Sequence, residues 1–398
     1  MSAVQNQDPI VIVGLSRTPM GGFQGDFTPL TASELGAVAV KGALTQSGLS
    51  PDDIDEAVMG CVLPAGQGQA PARQAILGAG LPQSVGCTTV NKMCGSGMQA
   101  AMMAHDSLMA GSADVMIAGG MESMTNAPYL LAKMRGGARL GHTDVKDSMF
   151  LDGLEDAYDK GKLMGVFAEQ TAQHYQFTRE EQDAYAIASL ERANAAINGG
   201  HFKSEISPVT VTSRKGDTVI DTDEQPGKAR ADKIPTLRPA FAKDGTVTAA
   251  NASSISDGAA ALVMMKQSQA EKRGLTPVAK IVGHSTHAQA PEWFSTAPIG
   301  ALKKLYEKTG WTDADVDLYE INEAFAVVTM AAMRDLGLDH AKVNVHGGAC
   351  ALGHPIGASG ARILVTLIAA LRTYGKKRGM ATLCIGGGEA TAMAVELM

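Results

Sequence analysis

The chain repeats itself. Gly48-Leu-Ser-Pro-Asp-Asp-Ile-Asp55 is matched 262 residues later by Gly310-Trp-Thr-Asp-Ala-Asp-Val-Asp317, and both lead into a short strand-like run. Val90-Asn91 stands before one glycine-rich turn and Val343-Asn344 before another. Met116-Ile-Ala-Gly-Gly120 resembles Leu383-Cys-Ile-Gly-Gly387. Three matches in the same order predict two related halves. Halves of this kind bury their apolar faces against each other, and a site is expected at their pseudo-symmetric junction.

Apolar patterning indicates what each half contains. Residues 10–15 are a continuous apolar run, as in a strand buried on both faces. Residues 31–47 have helical spacing, 57–59 and 88–91 are short strands, 97–110 a methionine-rich helix of small residues, and 115–120 another strand. This alternation predicts a mostly parallel sheet covered by helices. The rhythm stops near Asn126 and resumes near Thr248. The stretch between is more polar, with one well-signalled helix opened by a capping box of Thr178 and Glu181. The expected division is an N-terminal half over 1–125, completed by 249–272, an inserted loop domain over 126–248, and a C-terminal half over 273–398.

Composition removes several function classes. A chain of 398 residues with 45 glycines and only 5% aromatics suits tight turns and close backbone packing in a layered α/β enzyme. The net charge of -7 argues against a nucleic-acid partner. The nine histidines are scattered and show no metal-binding pair, so no metal is expected. The cysteines Cys61, Cys87, Cys94, Cys350 and Cys384 are odd in number and include no C-x-x-C, which reads as reduced thiols in the cytoplasm. The first nine residues lack the basic and apolar regions of a signal peptide, and the apolar run 363–371 is too short to span a bilayer, so no membrane association is expected. Neither a P-loop nor a G-x-G-x-x-G after a strand is present, which argues against a bound nucleotide cofactor.

Four short segments carry chemistry. In Asn91-Lys-Met-Cys94-Gly-Ser-Gly-Met98 a cysteine lies between a strand and a helix start. Helix-end N–H groups would favour a thiolate there and lower its pKa, making Cys94 a candidate nucleophile with an oxyanion site; a buried structural cysteine is the other reading. In Gly353-His354-Pro355 the histidine is held in a rigid turn, as a base or as a packing group. In Cys384-Ile-Gly386-Gly-Gly388 a second thiol ends a strand, suited to proton transfer or to the core, with Gly386 N–H as a possible oxyanion donor. In Glu320-Ile-Asn322-Glu-Ala-Phe325 the amide of Asn322 could orient a water or cap the next helix. The basic stretch 227–243 is either a solvated loop or a cationic lip for phosphates.

Together these segments resemble the thiolase family. The resemblance runs over essentially the whole chain, through the Cys94 turn, Asn322-Glu-Ala-Phe-Ala326, Gly353-His354-Pro355 and Cys384-Ile-Gly-Gly-Gly388, and takes in Arg238-Pro-Ala-Phe241 and Asn251-Ala-Ser253. It implies an α/β thiolase fold, two βαβαβαββ halves in a layered α-β-α-β-α arrangement with an inserted loop domain. The implied activity is Claisen condensation of two acetyl-CoA to acetoacetyl-CoA plus CoA, and the reverse thiolysis. Cys94 would carry the acyl group, His354 would activate it, Asn322 would hold a water, Cys384 would move the α-proton, and the N–H groups of Cys94 and Gly386 would form an oxyanion hole. Leu163, Met164, Phe241, Phe294 and Phe325 would line the acyl pocket, and Ser253 would contact pantetheine. Coenzyme A and acyl-CoA enter as substrates, with no permanently bound cofactor. The resemblance also implies fatty acid metabolism and a homotetramer, with residues 133–142 contributing contacts. Three positions depart from the short-chain pattern: Leu163 where His is usual, Phe294 where Met is common, and Cys350 where an aliphatic residue is usual. A degradative 3-ketoacyl-CoA thiolase of broader chain length and a non-catalytic acyl-CoA-binding homologue are the alternatives. The intact set of Cys94, His354 and Cys384 argues against the second.

Overall fold

The computed structural model describes residues 8–398. Its N-terminal half carries β1 (Ile10–Arg17), β2 (Glu56–Gly60), β3 (Gly86–Val90), β4 (Val115–Ser123) and β5 (Ser256–Lys266), side by side in the order β3-β2-β4-β5-β1. The C-terminal half carries β6 (Ala279–Ala288), β7 (Leu318–Ile321), β8 (Arg378–Ile385) and β9 (Glu389–Leu397) in the order β7-β8-β9-β6. The two arrays join at β1 and β6, through Val11 opposite Lys280 and Ile12 opposite Ala279.

The sheet is mixed rather than mostly parallel. Strands with helical crossovers pair parallel, β2 with β3 and β4, and β7 with β8. The remaining pairs are antiparallel: β5 with β4 and β1, and β9 with β8 and β6, of which only β8 and β9 are joined by a tight turn. The βαβ rhythm reports only the crossovers, so it overstates the parallel content.

Helices α1 (Ala32–Ser47) and α2 (Pro71–Gly78) cover the outer face of the first half, whereas α6 (Ala297–Thr309) and α7 (Ala326–Leu336) cover that of the second. Between the sheets lie α3 (Ser96–Ala110) and α8 (Ile356–Thr373). Five layers result. They explain the continuous apolar strands: Ile10 and Ile12 of β1 face the central helices, while Val11 and Val13 face α1. Helix α8 is long and apolar enough to cross a bilayer, yet it is buried at the centre of the molecule.

The repeat is physical at its first match. Asp55 Oδ2 accepts N–H bonds from Asp114 and Val115 at the start of β4, both at 2.9 Å. Asp317 Oδ2 accepts from Lys377 and Arg378 at the start of β8, both at 2.9 Å. Each aspartate follows a capped single turn, Pro51–Asp53 or Asp313–Asp315. The third match is slipped by four residues. Glu56 lies opposite Met116 and Leu318 opposite Gly379, so Gly379, not Leu383, is the counterpart of Met116.

The segment between β4 and β5 holds α4 (Met164–Tyr175), α5 (Arg179–Asn198) and a hairpin of Val209–Ser213 with Gly216–Ile220. Thr178 and Glu181 form the capping box of α5. The segment is pinned to β1 by a fully buried network in which Arg17 pairs with Glu205 and binds both carboxylate oxygens of Asp223, at 2.7 and 2.9 Å. Removing one partner from such a network leaves an uncompensated buried charge, a loss of about 3–5 kcal/mol.

Candidate active site

The site is built where the two halves meet. Strand β3 runs into a turn closed by Asn91, whose Oδ1 accepts Met93 N–H at 2.9 Å, and by Ser96, whose Oγ accepts Lys92 N–H at 2.9 Å and donates to Met93 O at 2.6 Å. Met93 sits at φ 46°, an unfavourable conformation for a residue with a side chain, so these bonds hold the turn against strain. Cys94 comes next, partly exposed, one residue before the N-cap of α3. Gly95 is pressed on the other half: a Cβ there would lie 2.4 Å from Ile385 Cδ1, beside Cys384. Lys92 forms an ion pair with Glu389 of β9 across the same gap.

From the second half come His354, Asn322, Cys384 and Gly386. His354 is buried immediately before α8. Its backbone N–H donates to Ser254 O and Ser256 Oγ, both at 3.2 Å. Ser359 Oγ lies 2.6 Å from His354 Nδ1 and donates its own proton to Pro355 O at 2.9 Å. Ser359 therefore accepts from Nδ1–H, an assignment made from the hydrogen-bond network, and the lone pair falls on Nε2. Nε2 is buried without a partner among the described residues. Burial, reinforced by Arg362, pushes the His354 pKa down to about 3, so the ring is neutral.

Asn322 lies beside that ring, its Nδ2 3.5 Å from His354 Nδ1. Its Oδ1 faces Arg362 Nη2 at 3.5 Å, so the amide N–H groups are aimed into the site. Asn322 does not cap the helix that follows: α7 begins at Ala326 with Phe325 at its N-cap. Arg362 also pairs with Glu320 at 3.3 Å, and both are buried; burial raises the Glu320 carboxyl to about 8 despite that partner. Glu323 is buried as well, accepting from Tyr185, Ser189, Asn344 and the Cys350 N–H, which ties α5 to the His354 loop.

The Cys94 thiol departs from the expectation at its helix start. Burial pushes its pKa up to about 11, although N–H groups of Gly386 and of Cys94 itself pull it down. Desolvation outweighs the helix-end dipole, which leaves a resting thiol that needs a base. The N–H groups of Gly386 and Cys94 meet at this one sulfur. Cys384, fully buried on β8, is also raised, first by burial and then by the neighbouring Cys94. The structure thus brings Cys94, Cys384 and Gly386 together, and Asn322 together with His354.

Of the pocket residues, Met164 is placed against this centre, its Sδ 3.6 Å from where a Cβ on Gly386 would be. Leu163 is the half-buried residue just before α4. Phe325 meets Phe241 and Phe294 edge to face, with centroids 5.9 and 6.3 Å apart. Ser253 N–H bonds to Ala324 O at 2.9 Å, one residue from that aromatic group. Part of the basic stretch lines a cleft of about 390 Å³: Lys228, Arg230 and Lys233 form its rim, with Leu237, Ser254 and Cys350 deeper; Ser253, Arg238 and Lys243 are not among the lining residues. Cys350 does more than pack as an apolar group, since its N–H and thiol both bond to Glu323, at 3.0 and 3.7 Å.

Three site residues escaped sequence reasoning. Glu122 is buried beside Cys94 and accepts Val62, Leu63 and Gly357 N–H groups at 3.0, 3.1 and 2.8 Å, while burial raises it to about 7. Its signal was a carboxylate inside the apolar run of β4. Ser359 and Arg362 were hidden in a helix that reads as plain core.

Cysteine thiols from two pseudo-symmetric halves, a neutral histidine and two backbone N–H groups at one sulfur fit a class of acyl-transfer fold. The chain belongs to the thiolase family: residues 10–268 match the thiolase N-terminal domain and 275–397 the thiolase C-terminal domain. It is 50% identical to an acetyl-CoA acetyltransferase of Allochromatium vinosum, over 98% of this chain and 99% of that one. It is 51% identical to acetyl-CoA acetyltransferase 1 of Arabidopsis thaliana, over 98% and 94%. The crystal structure of the Bacillus anthracis acetyl-CoA acetyltransferase superposes with a TM-score of 0.96 at 40% identity, covering 98% of this chain and 99% of that one.

Proposed function

We propose that this protein is an acetyl-CoA C-acetyltransferase that condenses two acetyl-CoA to acetoacetyl-CoA and CoA and catalyses the reverse thiolysis. The observation that carries the reading is the convergence of Cys94, Cys384 and the Gly386 N–H, in a chain whose buried His354 Nε2 has no partner among the described residues. In condensation, His354 Nε2 takes the Cys94 proton and the sulfur attacks the thioester carbonyl. The tetrahedral oxyanion is held by the N–H groups of Cys94 and Gly386, each donor being worth about 3 kcal/mol. CoA leaves as a thiol, taking the proton of Cys384, which is left as a thiolate, while His354 keeps the Cys94 proton on Nε2. Cys384 then removes an α-proton from the second acetyl-CoA, whose enolate oxygen is held by His354 and a water on Asn322. The carbanion attacks the acyl-Cys94 carbon, a carbon–carbon bond forms, and the Cys94 sulfur leaves, taking its proton back from His354. Both thiols must remain reduced, which supports a cytoplasmic setting.

CoA and acyl-CoA are substrates in this reading, with no resident cofactor, and the Lys228, Arg230 and Lys233 rim suits their phosphates. The packed ring of Phe294 on Phe325 supports a short acyl group over the longer chains of the degradative class. The reaction belongs to fatty acid metabolism. Assembly as a homotetramer is supported by apolar exposure around residues 133–142, where Leu140 is 98% and Met134 50% exposed; light scattering on the purified protein tests it. The deciding experiment is CoA-dependent thiolysis of acetoacetyl-CoA beside a medium-chain 3-ketoacyl-CoA. A kcat/KM favouring acetoacetyl-CoA is expected, and preference for the longer chain would move the enzyme to the degradative class.

A further inference from the structure

The histidines scattered in sequence converge at one place in space. His105 and Asp106 lie on α3 near its C-terminal end, and His284 comes from β6 of the other half. His105 Nδ1 and His284 Nε2 each stand 2.9 Å from the same oxygen, Asp106 Oδ1. The rings meet edge to face with centroids 5.0 Å apart. The three donor atoms lie within 4.8 Å of one another. The histidine side chains are 15% and 16% exposed, whereas Asp106 is 64% exposed. We infer that His105, Asp106 and His284 form a binding site for a divalent transition-metal ion, with solvent completing its shell.

Two nitrogens and one carboxylate oxygen suit zinc, nickel or cobalt rather than magnesium or calcium, which prefer all-oxygen shells. Tetrahedral coordination at about 2.0–2.1 Å puts ligand atoms roughly 3.3 Å apart. The observed 2.9 Å separations therefore need only a small outward swing of Asp106, which its exposure allows, while packing fixes the two rings. No deprotonation of neutral histidine is required: the ring proton moves from Nδ1 to Nε2 in His105 and from Nε2 to Nδ1 in His284. The C-terminal end of the α3 dipole favours a cation nearby. Lys308 lies beside His284 and opposes a second cation, although its ammonium is engaged by His284 O at 2.9 Å. A bound ion would join the helix that begins at the Cys94 turn to the first strand of the C-terminal half.

Nickel is the probe, because the site thiols compete less for it than for softer ions. Calorimetric titration of the full chain should show one more Ni²⁺ per chain than the His105→Ala/His284→Ala double variant. Tm should rise by several degrees only in the unsubstituted protein, at Ni²⁺ about a hundredfold above its dissociation constant. Co²⁺ at the site should give ligand-field bands without the intense sulfur charge-transfer absorption of thiolate ligation. Equal stoichiometry and equal Tm shifts in both proteins would overturn the site, as would a cobalt spectrum accounted for wholly by thiolates. Asp106→Asn, an exposed change that preserves packing, is the check should the double variant not fold. At least a tenfold loss of Ni²⁺ affinity is expected, and unchanged affinity refutes the assignment.

Discussion

Replacing Ser359 by Ala isolates the group that sets the protonation geometry of His354. The Ser359 hydroxyl is buried, 2.6 Å from Nδ1, and its own proton is committed to Pro355 O. Alanine leaves Nδ1–H without an acceptor in a site that already pushes the ring pKa down to about 3. A buried donor left unsatisfied costs about 1–3 kcal/mol. The ring can recover part of that by moving its proton to Nε2, and in that tautomer it cannot accept from Cys94. At 1.36 kcal/mol per decade, the loss in the acylation rate is roughly 5- to 150-fold. Quenched-flow intact mass after mixing with acetyl-CoA reads acylation directly, and a melting curve taken alongside separates catalysis from folding. Ser359→Thr, which keeps the hydroxyl, should recover most of the rate. An acylation rate within twofold of the parent in Ser359→Ala, or no recovery with threonine despite an intact fold, would refute the tautomer argument.

Cys384→Ala should still take up one acetyl group at Cys94 and then stall, with condensation reduced at least a thousandfold on the scale typical of general acid–base groups, whereas Cys94→Ala should show no mass shift. His346 is fully buried with neither ring nitrogen bonded among the described residues, and its pKa is depressed to about 4. The unfolded chain therefore binds the extra proton, so stability is fully present above pH ~6.5 and falls as pH drops toward 4; urea melts of His346→Phe should lose part of that acid slope. Asp55→Ala and Asp317→Ala each strip two N–H bonds from the start of an equivalent strand. Both should lower stability by about 1–3 kcal/mol, and urea midpoints showing a large loss for one alone would contradict the equivalence of the halves.

Much of this architecture is legible in the residues because layered sheets leave strong marks. The strand at 10–17 and the helix ending at Ala110 are set by local apolar pattern, and the clamp made by Asp55 recurs as Asp317 because both solve the same local problem. Pairing direction is less legible, since nothing in the local pattern of β5 says that it returns antiparallel. The catalytic positions stand out because a cysteine or histidine among glycines has little else to do. Their electrostatics do not. A helix start argues for a thiolate at Cys94, yet burial raises its pKa to about 11, and burial depends on a second half some 260 residues away. Glu122 went unseen because its partner Gly357 comes into reach only after folding, and Ser359 because its helix reads as plain core.

Helices α3 and α8 touch backbone to backbone at two glycines: a Cβ on Gly97 would lie 2.7 Å from Ala361 N, and one on Gly360 2.3 Å from Met98 N. The nucleophile turn and the histidine turn are mounted at that crossing, so their separation is set by backbone against backbone. Close-packed contacts of this kind do not slacken by degrees. Warming has no rotamer to loosen there, and the spacing holds until the two sheets part. Activity and native structure therefore share a single point of failure. The heat-inactivation curve should lie on the unfolding curve, with no dimmed but still folded enzyme between them.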